Sequence, residues 1–214
     1  MKKFFNNIVE DYIKFPIRIM SHPVLAYTEF KEEKKAKMSV AIVLLVLAAI
    51  VSMLQYVYTG PVLNNNDPTK FNSIAMLIYT ICTVIILSVS NWSVTTLMNG
   101  KGKMGEIFKM GCYAYFPVII CGIIGVVASN FVTEDEAMLV TLVYIIGYAL
   151  MAYMVFMGLI CLHEYGIFKT FATIFATLLA TCVIAFVALL IFDLSQQIYG
   201  FLYSLYNEIV TRFF

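Results

Sequence analysis

The sequence predicts an all-α polytopic membrane protein: a bundle of five transmembrane helices between amphipathic terminal helices. Three observations predict it. Hydrophobic residues make up 62% of the 214-residue chain and charged ones 13%, whereas a soluble domain sits near about 45–50% and about 25%. The apolar residues gather in five runs, each long enough to cross roughly 30 Å of hydrocarbon as a helix of about 20 residues. Acidic and basic residues fall between those runs or at their edges. Backbone polar groups stay paired in lipid only in helices or closed barrels. Stretches such as 42–50 lack the alternation of a barrel strand.

Taken in order, Phe5, Ile8, Val9, Tyr12 and Ile13 share one helical face, with Lys3, Glu10 and Lys14 off it. Pro16 and Pro23 then interrupt the pattern. This reads as a helix lying on the membrane or on a partner. Charges arrive too early for a signal peptide, so the first apolar run is expected to persist as an anchor. A charged collar at 31–37 closes an amino-terminal segment, 1–37. The membrane domain, 38–198, carries spans at Met38–Tyr58, 71–96, 108–131, 137–162 and 168–192. Its connections hold turn formers: Gly60-Pro61 and Asp67-Pro68, then Gly100, Gly102 and Gly105, then the acidic Glu134-Asp135-Glu136. Pro117 predicts a kink in the third span. Ala172, Ala176 and Ala180, beside Thr173, Thr177 and Thr181, form a small-residue packing stripe, and Gly122 and Gly125 read the same way. Residues 199–214 read as an amphipathic carboxyl-terminal helix, with Phe201, Leu202, Leu205 and Ile209 on one face.

Charge placement gives an orientation. Twelve of the 14 lysines and arginines fall on one side, before the first span, in the second loop and at the edge of the fourth; Lys70 and Arg212 fall on the other. Basic residues stay cytoplasmic, which places the amino terminus inside and the carboxyl terminus outside. A net charge of +1 points to no nucleic-acid partner. The five cysteines lie in apolar runs without a CxxC, as small buried hydrophobes.

The most informative stretch is 91–103, where a long apolar run meets water. Asn91 and Thr95 form a polar face suited to hydrogen bonds between helices, and Trp92 suits the interface. Gly100-Lys101-Gly102-Lys103 reads as a basic turn touching lipid headgroups or a partner. Its spacing is not that of a nucleotide loop. His163 and Glu164, near Cys161, could serve a metal or a base, but no HExxH accompanies them. The reading adopted is a histidine paired with a neighbouring helix and a glutamate paired with Lys169 or a second-loop lysine. The spans carry no ionisable group at mid-membrane of the kind that marks a pump. No enzymatic activity, cofactor or metal is expected.

Asn91-Trp92 through Gly100-Lys101-Gly102, then Glu106, Tyr113-Ala114 and Pro117, resembles the Yip-type (Rab/Ypt-interacting) integral membrane domain, most closely its bacterial branch. His163-Glu164-Tyr165 and Lys169 continue the resemblance. It implies a five-helix domain with a cytoplasmic amino-terminal region and brings no catalytic residues. For a bacterial member it implies residence in the plasma membrane as an accessory protein, contacting lipids and another integral membrane protein such as the permease of a sugar ABC transporter. The eukaryotic branch implies the alternative of a trafficking adaptor for Rab-type GTPases, although the long polar amino-terminal extension of that branch is missing. A small transporter or channel using Asn91 and Thr95 is a third reading. The orientation is testable: in a cysteine-free background, Asp135→Cys should react with a membrane-impermeant maleimide added outside the cell, and reaction only from the cytoplasmic face would invert the topology.

Overall fold

Each apolar run folds into a helix, and the polar connections stop it. The computed structural model describes residues 9–32 and 35–213. A π-helical turn, Glu10–Lys14, leads into α1 (Phe15–Ser21) and α2 (Pro23–Glu32). The membrane helices are α3 (Met38–Tyr58), α4 (Ser73–Leu97), the pair α5 (Met104–Ala114) and α6 (Phe116–Ser129), α7 (Ala137–His163) and α8 (Ile167–Phe213). Five of the resulting segments are long and apolar enough to span a membrane, α5 and α6 counting as one. The chain is an all-α polytopic membrane protein.

Local chemistry sets the boundaries. The Asn72 side chain accepts from the Ala75 N–H at 3.0 Å and starts α4. Glu106 reaches back to the Lys103 N–H at 3.0 Å and starts α5. The third span crosses in two pieces that break at Tyr115, with Pro117 in the first turn of α6. Proline there removes one backbone donor and crowds the preceding turn. α5 and α6 line the centre of the bundle, and Ile107, Met110, Cys112, Tyr113 and Ile119 are buried. Gly122 and Gly125 are buried too, against Val51 of α3 and Tyr144 of α7.

Three elements differ from the sequence expectation. First, residues 15–30, beyond the 5–13 face expected to lie on a membrane or partner, pack into the bundle. Ile19, Ala26 and Tyr27 are fully buried and Phe30 nearly so. Tyr27 donates to the Met154 carbonyl at 2.9 Å, and Phe15 and Phe30 meet the Tyr113 ring edge-on at 5.8 and 5.9 Å. Large aromatic side chains dominate the packing energetics of such a contact. Phe5 and Ile8 lie outside the described residues. Second, the buried stripe of α8 is Thr170, Thr173 and Thr177, while Ala172 is exposed and Ala176 and Ala180 are half-buried. Thr170 and Thr173 hydroxyls bond back to their own helix, at Gly166 and Lys169, so they pack as small, satisfied groups. Third, residues 199–213 do not form a separate helix but continue α8 without interruption. Gly200 is the sole weak point between Ile167 and Phe213, and one helical glycine costs only about 1 kcal/mol. Cys82 and Cys182 also face outward, unlike Cys112.

The 47 residues of α8 reach about 70 Å at 1.5 Å per residue, more than twice the roughly 30 Å of bilayer hydrocarbon. Beyond Thr177 none of its described residues is buried.

Candidate functional site

The polar residues singled out in the sequence converge at one end of the bundle. α4 ends as Asn99 enters the left-handed region at φ 57°, which asparagine tolerates better than most residues. The Gly100 N–H then turns back to the Thr95 carbonyl at 2.7 Å. This tight exit lays Gly100 and Gly102 directly on His163, the last residue of α7. A Cβ at Gly100 would stand 2.6 Å from His163 Nδ1 and 2.7 Å from the Tyr165 hydroxyl; one at Gly102 would stand 2.7 Å from His163 Cε1. Both positions exclude any side chain.

His163 is 1% exposed, and both of its ring nitrogens are engaged. The Gly102 N–H points at Nδ1 from 3.3 Å. An amide N–H can only donate, so Nδ1 is the acceptor and the proton sits on Nε2. Nε2 then donates to Asn91 Oδ1 at 3.2 Å, which turns the Asn91 amide to donate from Nδ2 to Thr177 Oγ1 at 3.1 Å. One line of hydrogen bonds thus joins the 98–103 loop, α7, α4 and α8. Thr95 lies one turn below Asn91, donates to its carbonyl at 2.7 Å and is 1% exposed. The Tyr165 ring stacks on the imidazole at 5.3 Å, and its hydroxyl donates to the Met98 carbonyl at 3.2 Å.

A layer of charge covers this core. Glu164 receives Lys101 at 2.5 Å and Lys31 of α2 at 2.8 Å. Hydrogen bonds from Lys101 and then Lys31 hold its carboxyl at about 2. Lys31 also donates to the Leu162 carbonyl at 3.1 Å, one of the carbonyls a helix end leaves unpaired. Of the two partners expected for Glu164, the second-loop lysine is the one found. Lys169 instead lies 4.1 Å above the Tyr165 ring, a cation–π contact.

Not every expected residue joins the cluster. Trp92 points outward at 41% exposure, as an interfacial ring and not a packing anchor. Pro117 stands apart in α6, its carbonyl against Gly147. Lys103 contributes its backbone to the start of α5. The amides of Gly100 and Gly102 are engaged by the Thr95 carbonyl and by His163. The Asn91–Thr95 face is likewise closed against other helices. Among the described residues, no three His, Cys, Asp or Glu side chains converge as metal ligands would. Thr177 and Lys31 escaped the sequence reading as site residues. Thr177 was visible only as part of a packing stripe, and Lys31 only as one charge in a collar.

This arrangement ties helices to one another through hydrogen bonds and ion pairs. Residues 17–206 match the Yip1 domain family. The chain belongs to that family. No curated protein and no solved structure matches it. The Yip1 match covers α2 through most of α8, so it includes every residue of the cluster.

Two measurements check the site. Gly102→Ala should lower stability by about 1–3 kcal/mol through overpacking against His163, read as thermal unfolding in detergent. The Glu164 carboxyl is held below its ordinary value in the folded chain, so its contribution is present above the unfolded value. It fades as pH falls from about 5 toward about 2. The melting-temperature gap between wild type and Glu164→Gln should therefore be open at neutral pH and close over that range.

Proposed function

We propose that this member of the Yip1 domain family is a non-enzymatic accessory subunit that packs beside another integral membrane complex. A sugar importer of the ABC type is the complex the bacterial resemblance favours. The observation that carries the reading is the distal part of α8. Val183, Phe186, Leu190 and Leu194 share one helical face, and each is more than half exposed. The helix outruns the bilayer, and from Phe186 onward every described residue is exposed. A helix so lightly held offers a long apolar surface to a second membrane protein.

Two observations weigh against the alternatives. The amino-terminal segment, which a GTPase adaptor would offer to its partner, buries Tyr27 and Phe30 in its own bundle. The polar face that a transport path would use, Asn91 and Thr95, is packed and internally bonded.

Affinity purification in mild detergent should recover the protein with one integral membrane complex. Phe186→Ala with Leu190→Ala should cut that recovery about tenfold while changing the protein's own stability by no more than about 0.5 kcal/mol, as expected for surface positions. A lone stable monomer, or recovery indifferent to these substitutions, would remove the reading.

A further inference from the structure

Between α4, α5, α7 and α8 lies a cavity of about 180 Å³. Its wall is almost wholly hydrocarbon, from Val84, Met110, Met151, Val155 and Ile174 among others. An apolar cavity of about 150 Å³ already stays dry and takes a guest the size of benzene. Four polar residues line it, Ser88, Tyr115, Asn91 and Thr177; Asn91 and Thr177 bond to one another, and the exposed wall is so nearly apolar that the two to four polar partners a trapped water needs are not gathered there. The space is therefore suited to hydrocarbon.

Its position says which hydrocarbon. Asn91 and Val84 lie about 9 and 20 Å from the end of α4, at 1.5 Å per residue. The 25 residues of α4 measure about 38 Å and, centred on a roughly 30 Å core, overrun it by about 4 Å at each end, so the cavity lies about 5 to 16 Å deep, mainly within one leaflet. It is open to that leaflet: Leu87 and Leu178 line it and are 37% and 55% exposed. α7 and α8 share few contacts although they follow one another in the chain. At the same end of these helices, exposed Lys103 and Lys169 stand at headgroup depth, where they complement a phosphate.

We infer that this cavity holds an acyl chain of a phospholipid from the leaflet on the Lys101–Lys103 side. Gly111 provides the means to close it. A Cβ there would meet only Val84 Cγ1 at 3.5 Å and Ser88 Oγ at 4.0 Å, ordinary contact distances, so a larger side chain extends into the space.

The test uses the full chain in phosphatidylcholine–phosphatidylglycerol vesicles containing a phospholipid with a diazirine midway along one acyl chain. After photolysis, labelled peptides are mapped by mass spectrometry. Label is expected on the cavity wall, at Val84, Met110 and Val155, as well as on the outer face of α8, at Leu189 and Phe192. Gly111→Leu should reduce the wall label about tenfold by filling the space and leave the outer label unchanged. Val155→Phe fills the cavity from α7 and serves if Gly111→Leu does not fold. An unlabelled wall, a wall label indifferent to both substitutions, or crosslinks from the wall to a second copy of the chain would each overturn the inference.

Discussion

The imidazole of His163 is where four segments of this chain are tied together. Its two nitrogens face a backbone donor on one side and an amide oxygen on the other, so a single neutral tautomer satisfies both. The bilayer makes such a tie necessary. Within hydrocarbon, helices have no hydrophobic drive to associate, and packing and hydrogen bonds must hold them together. Here the bonds are strung in series, so that the loop orients the histidine, the histidine orients Asn91, and Asn91 meets Thr177. The glycines of the loop belong to the same device, since backbone can approach the ring only where side chains are missing.

Around that tie the structure grades from dry to wet. Tyr165 stacks on the ring, and Glu164 with Lys31 and Lys101 forms an exposed ion cluster above it. Exposed ion pairs add little stability on their own. Their geometry does more, since Lys31 fastens α2 to the end of α7, while Tyr27 and Phe30 of α2 are buried beneath. The amino-terminal helices thus act as a lid on the bundle, held by aromatic packing and registered by charge.

The two features that point toward function sit on the other side of α8. Its first turns are fixed by Thr170, Thr173 and Thr177; beyond Ala185 every described residue is exposed. The cavity lies where α8 begins to separate from α7. A lipid chain there and a protein partner farther along α8 would occupy different surfaces of one helix, so they are compatible readings of how a lightly held final helix is used.

The five spans, the turns between them and the break near Pro117 were legible in the sequence, because hydrocarbon thickness and backbone satisfaction leave few options for long apolar runs. The importance of 91–103 was legible as well, since a cluster of polar residues at a helix end is conspicuous against an apolar background. The pairing within the site was not. Asn91 and His163 are 72 residues apart, and periodicity says which residues share a face without saying which helix that face meets. The same limit hid the docking of α1 and α2, whose contacts, such as Tyr27 with Met154, are made across more than a hundred residues. It also hid the choice of threonines over alanines as the contact of α8. The sequence by itself determined the membrane class and the candidate residues, because composition and period act within one helix. The tertiary structure decided the partners, because hydrogen bonds between helices depend on relative rotation and depth, which no single helix encodes.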